Sequence, residues 1–120
     1  MTADVAILRE QLADDDDAVR EAAAEQLARL GEDARDASAA LINATGDDSE
    51  GVKEWAAAAL EGSGAPADAD LEEIAELLKS ESADIAYWAA TLLGRAGDRA
   101  APHVGALAEA LRDHWAGEVR

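Results

Sequence analysis

Asp14-Asp15-Asp16-Asp17 is the densest run of side chains able to hold a cation. A calcium loop of the EF-hand type needs alternating oxygen ligands, glycine at its sixth position and glutamate at its twelfth. Counted from Asp14, the twelfth residue is Glu25, but the sixth is Val19, which cannot make the sharp turn. The run reads as a solvated turn whose carboxylates cap the helix that follows. His103 and His114, the two histidines, form no His-Glu-x-x-His pair and read as surface residues. There is no cysteine, which removes thiolate catalysis, disulfides and Cys-ligated metals together. No serine stands in Gly-x-Ser-x-Gly, and no phosphate-binding Gly-rich loop is present. Carboxylate pairs are everywhere in a chain with 27 Asp and Glu among 120 residues, so a pair alone does not point to acid–base chemistry. The expectation is a protein that is not an enzyme, with no catalytic residues, no cofactor and no metal.

Trp55 and Trp88 are better candidates for function, as binding residues. Each lies three residues after an apolar anchor, Val52 or Ile85. That offset places it about 60° to one side of the anchor, at the edge of a buried helical stripe. Two tryptophans in such positions could form an aromatic strip on a groove, with Tyr87, Glu54 and Glu21 beside them. The competing expectation is that each indole fills core space left by alanine neighbours.

Those offsets presuppose helices, and the composition supports them. Alanine occurs 32 times, against three Trp, one Tyr and no Phe. A core of Ala and Leu requires backbones in close approach, which packed helices provide and a β-sandwich does not. The net charge is -17, with Lys only at 53 and 79. Such a surface repels nucleic acid and anionic membranes and favours a basic protein or peptide. No apolar run reaches the ~20 residues needed to span a bilayer, and the first residues carry no basic, then apolar, signal-peptide pattern. The expected location is cytoplasmic and the expected state monomeric.

Laid over itself at an offset of 33, the chain aligns. Leu8, Leu41, Ile74 and Leu107 share a column, as do Leu12, Thr45, Leu78 and Leu111, and Val5, Ser38, Leu71 and Val104. These fall on one face of a first helix. A second helix aligns Val19, Val52 and Ile85, then Ala23, Ala56 and Ala89, then Leu27, Leu60 and Leu93. Gly31, Gly64 and Gly97 close each unit, as C-cap glycines in a left-handed conformation. Acidic residues before or at the start of the second helices, including Asp47, Asp48, Glu50 and Asp84, suit N-caps and the positive end of the helix dipole. The pattern predicts helices over about 3–13, 18–30, 34–45, 50–61, 69–79, 83–96 and 100–116, the last a capping helix with the stripe Val104, Leu107, Leu111 and Trp115. Residues 1–120 read as a single domain, with repeats over about 3–33, 34–66 and 67–99.

The Thr-Pro-Leu-His signature of ankyrin repeats and the Trp, Gly, Tyr and Pro pattern of tetratricopeptide repeats are both absent. The stretch from Asp17 through Val19, Arg20, Ala23 and Leu27 to Gly31 resembles the second helix of HEAT-like repeats, of the short type found in phycobilin lyases. Asp84 through Ile85, Ala89 and Leu93 to Gly97 resembles it too, with Ala86 in place of the arginine and Lys53 there in the middle copy. The resemblance implies an all-α, right-handed solenoid of about three and a half repeats and seven helices. It implies that Arg20 and Lys53 pair with acidic turn residues between neighbouring repeats, and that the second helices line the concave face. The function expected is a non-catalytic scaffold that binds a basic protein or peptide in that groove. One alternative is an accessory subunit or fragment of a HEAT-like lyase or other enzyme; another is an acidic mimic of nucleic acid. A further reading makes the charge an adaptation to salt.

Overall fold

The computed structural model describes residues 5–99, which form six α-helices and no strand. They pair as three hairpins: α1 (Val5–Gln11) with α2 (Asp17–Leu30), α3 (Ser38–Ala44) with α4 (Glu50–Ser63), and α5 (Leu71–Leu77) with α6 (Ala83–Ala96). The capping helix expected over 100–116, with His103, His114 and Trp115, lies outside the described residues.

The second helices start and stop where local chemistry requires. Asp16, Ser49 and Ser82 are their N-caps, one column at the 33-residue offset. The Asp16 carboxylate accepts from the Ala18 N–H at 2.9 Å, the Ser49 hydroxyl from Val52 at 3.4 Å and the Ser82 hydroxyl from Ile85 at 3.3 Å. Two residues earlier, Asp14, Asp47 and Ser80 form a second column. Each accepts from the backbone N–H of the following cap, at 2.9 to 3.1 Å. The aspartate run at 14–17 is thus a capped turn. The cap of α6 is Ser82; Asp84 sits in the first turn of the helix.

Gly31, Gly64 and Gly97 have φ of 61°, 73° and 60°. Their ψ values, -127°, -147° and -126°, lie outside the left-handed helical well expected of them. Positive φ with extended ψ is open to essentially no residue but glycine, so the column is more restrictive than a left-handed cap.

The first helices are shorter than the pattern predicts. Gly31–Ala37 forms a 3₁₀ helix ahead of α3, and Asp68–Asp70 forms another ahead of α5. Three residues per turn puts Ala34 and Ala37 on one face, and both are fully buried. The polar members of the apolar columns are accommodated. Ser38 and Thr45 are buried, and their hydroxyls donate to the Arg35 and Ile42 carbonyls at 2.6 Å.

The Leu, Ile, Val and Ala columns, from Leu8 to Ala96, form one continuous core between the two helix layers. Leu27, Leu60 and Leu93 lie at its centre, each about 1% exposed or less. Along the second-helix layer the packing is uneven. α2 and α4 run closely against each other, whereas α6 packs on α5 and α3 and meets α4 only sparsely.

Candidate functional site

The faces of α4 are fixed by its neighbours and by the helical period. Val52, Ala56, Ala59, Leu60 and Ser63 point to the core. One flank holds Gly51, Trp55, Ala58 and Gly62 and faces α2. A β-carbon on Gly51 would overlap the Glu21 carboxylate, and one on Gly62 would stand 4.0 Å from the Gly31 Cα. The other flank, with Lys53, faces α6: Lys53 Nζ lies 3.8 Å from Asp84 Oδ2. Opposite the core, at the centre of the outward face, stands Glu54, which is exposed.

This frame places every candidate residue. Glu21, Glu54 and Tyr87 occupy one column of the repeat, the outward centre of α2, α4 and α6. Tyr87 is 51% exposed, and its ring meets Trp88 edge to face with centroids 5.4 Å apart. Trp55 and Trp88 are not on this outward line. They occupy the flanks turned to the preceding hairpin, partly buried against the core. Glu21 is half-buried and leans over Gly51 in the first turn of α4, where the helix dipole favours a negative charge.

Arg20 bridges two hairpins. Its guanidinium donates to both carboxylate oxygens of Asp47 at 2.9 and 3.2 Å and to the Asp14 and Asp15 carbonyls at 2.7 and 3.2 Å. The hydrogen bond to Asp47 is the main reason the Arg20 pKa is raised, against the opposing effect of burial. Partial burial pushes the Asp47 carboxyl up, but the Ser49 N–H, the Arg20 hydrogen bond and the Arg20 charge together hold it below the usual carboxylate range. Lys53 repeats the bridge weakly, because its column partner is Ser80 and it reaches to Asp84 instead. Asp70 behaves oppositely to Asp47. Burial first, then Glu73 and Asp36, push its pKa up, with Arg9 opposing.

Three residues that shape this region, Gly51, Gly62 and Arg95, carry no signal as single residues. Arg95 donates to the carbonyls of Leu60 and, at 3.3 Å, Gly64, closing the C-terminal end of α4 with a cation. Its column equivalent in α4 is Gly62. Only the comparison of columns, Ala18, Gly51 and Asp84 beside Arg29, Gly62 and Arg95, reveals that the flanks differ.

Among the described residues no group of His, Cys, Asp and Glu is arranged to hold a metal ion, and no helix is long and apolar enough to cross a membrane. No curated protein matches the chain. The crystal structure of an engineered protein, a Northeast Structural Genomics Consortium target, is similar in fold: TM-score 0.55 and 21% identity, over 90% of this chain and 51% of that one. The chain therefore spans about half the length of that protein. Residues 5–75 match the model of HEAT repeats, over more than half of the sequence. With three capped hairpins at a constant offset and one shared core, the chain belongs to the HEAT repeat family.

Proposed function

We propose that the protein is a non-catalytic interaction scaffold that receives a basic protein or peptide on the outward face of its second helices. HEAT repeats generally mediate protein–protein interaction. The observation that carries the finer reading is the column Glu21, Glu54 and Tyr87, which gives that face an exposed carboxylate on α4, a half-buried one from α2 that leans onto the first turn of α4, and a half-exposed aromatic ring on α6. The ring supplies apolar contact area, and the carboxylates select cations and speed their approach. The turn carboxylates at Asp14, Asp16 and Asp47 are already engaged as acceptors for backbone N–H groups at the starts of α2 and α4.

The test compares proteins retained from a native lysate by the wild-type chain and by a Glu21→Lys/Glu54→Lys variant. A set of basic proteins held by the wild type and lost from the variant is the expected result, with retention weakening as salt rises. The same set held equally by both would sink the reading.

A further inference from the structure

The two seams between second helices hold their cations differently. In the first, Arg20 of α2 donates to both Asp47 oxygens at 2.9 and 3.2 Å, and the Glu21 carboxylate lies over Gly51 of α4. In the second, the column partners have changed: Lys53 stands for Arg20, Ser80 for Asp47, Asp84 for Gly51 and Tyr87 for Glu54. Lys53 Nζ lies 3.8 Å from Asp84 Oδ2 on α6 and 4.0 Å from Glu50 Oε1 on α4. Both distances are longer than a hydrogen bond, so the ammonium lies near two carboxylates and is bonded to neither. The Asp84 and Glu50 side chains are 62% and 81% exposed, and α6 meets α4 only sparsely. Tyr87, one turn along α6 from Asp84, is half exposed and rests edge to face on Trp88.

We infer, building on the proposed scaffold reading, that the mouth of the α4–α6 seam takes one arginine side chain of the basic partner, its guanidinium shared by Asp84 and Glu50 beside the Tyr87 ring. Charge complementarity selects a cation, and the exposed Glu54 on α4 adds to the field. The ring selects the kind of cation. A guanidinium is planar and weakly hydrated, stacks on an aromatic face and has donors enough for two carboxylates at once. A partner lysine would only repeat what Lys53 already does. The closed seam offers no such place, because Arg20 is satisfied by Asp47, Glu21 is turned onto Gly51, and Glu54 stands where the third hairpin has its ring. The site therefore belongs to one seam and needs no repetition along the array. It also gives Lys53 a second role: the tethered ammonium competes with the incoming arginine for the same carboxylates.

The probe is the capped peptide acetyl-Gly-Ser-Arg-Ser-Gly-amide, titrated at low salt into the ¹⁵N-labelled chain and followed by amide chemical shifts. Peptides with lysine or citrulline in place of the arginine are the comparisons. In the wild type the arginine peptide should shift the amides around Glu50 and from Asp84 to Trp88 saturably. It should bind about two- to fivefold more tightly than the lysine peptide, the worth of an exposed cation–π contact. Citrulline, which keeps the shape and loses the charge, should not saturate. Tyr87→Phe should keep the arginine preference and Tyr87→Ser should remove it. Lys53→Gln should tighten arginine binding about two- to fivefold by removing an exposed competing cation. Arg29→Gln makes the same change in net charge at an exposed position near the end of α2, and should change binding far less. Equal affinity for arginine and lysine would overturn the assignment of arginine. Shifts spread evenly over α2, α4 and α6, or equal effects of Lys53→Gln and Arg29→Gln, would overturn the site and leave only attraction to a chain of charge -17. No saturable binding would overturn the inference outright. The lysate comparison decides separately whether the basic-partner reading survives any of these results.

Discussion

The α2–α4 seam and the α4–α6 seam are built from the same repeat, yet one is closed and the other open. At the first, α4 offers Gly51, Ala58 and Gly62 around Trp55, and the backbones draw together until Gly62 approaches Gly31. At the second, the same positions of α6 are Asp84, Thr91 and Arg95 around Trp88. Asp84 reaches Lys53, and Arg95 inserts its guanidinium against the last turn of α4. Bulk on one helical flank sets the spacing, while the core columns, alike in both, hold the hairpins together. The open seam is bridged by long polar side chains, and the closed one by backbone proximity and the paired hydrogen bonds that Arg20 donates to Asp47.

The harshest way to break this picture is at the core that both seams share. Leu60 is fully buried at the centre of α4. Leu60→Ala should cost ~2–5 kcal/mol in equilibrium denaturation. Because short arrays are stabilised by their neighbours, helicity should vanish in one transition. A loss under ~1 kcal/mol, or a stable half-helical intermediate, would mean that the two seams do not depend on a common core.

Two glycine substitutions sharpen the contrast, since each should move stability in its own direction. A β-carbon on Gly46, in the turn of the second hairpin, would lie 2.6 Å from Ile85 Cδ1, 2.9 Å from its Cγ1 and 3.3 Å from Ser82 Oγ. Gly46→Ala should therefore push α6 away and cost ~1–2 kcal/mol, as overpacking does. Gly62→Ala meets nothing nearer than the Gly31 Cα at 4.0 Å and should gain up to ~1 kcal/mol from helix propensity. Melting curves that moved in the same direction for both would refute the assignment of the close contacts.

How much of this was legible in the sequence follows from what a repeat repeats. Leu27, Leu60 and Leu93 recur because each must fill the same core site, so the hairpins and their glycines could be read directly. The caps Asp16, Ser49 and Ser82 share a column too, but the aspartates around them obscured which residue was the cap. The seams were not legible, because their geometry depends on where the columns differ, and residue 62 means nothing until it is set beside Arg95. The tryptophans show the limit clearly. Spacing placed Trp55 and Trp88 at the edge of the stripe, but only the neighbouring helix decides whether that edge is groove or seam. Tyr87, Glu54 and Glu21 stood beside them as lesser candidates, and they form the outward line.

The electrostatic side of the comparison responds to pH. Asp47 has a folded-state pKa below its unfolded value, so its contribution to stability is present above the ordinary carboxylate range and lost as pH falls through the depressed value. Asp47→Asn should lower the melting temperature at neutral pH, and the gap should close on acidification through that range. Asp70 has the opposite sign. Its raised pKa makes it a burden at neutral pH, and the wild type recovers as pH falls through that raised value towards the ordinary range. Asp70→Asn should thus raise the melting temperature at pH 7, with the gain fading through that window. Parallel curves for the two variants would show that Arg20 and Asp47 contribute nothing beyond a surface ion pair.

The smallest effect expected is also the most direct view of the two seams. Trp55 and Trp88 share a column and are both partly buried against the same core, so a difference in solvent access must come from the flank each one faces. With Trp115→Phe as background, Trp88→Phe leaves Trp55 as the reporter, and Trp55→Phe leaves Trp88. Acrylamide is the suitable quencher, because iodide would be repelled by a chain of net charge -17 and would under-report both sites. Trp55, beside the closed seam, should emit further to the blue and be quenched less. Trp88, beside the open seam with Tyr87 against its ring, should be quenched more. Gly62→Arg, which gives α4 the side chain that α6 carries, should move Trp55 towards the behaviour of Trp88. If the two indoles quench alike and Gly62→Arg leaves Trp55 unchanged, flank volume does not set the spacing, and the opening at α6 must come from the turn at Gly46 instead.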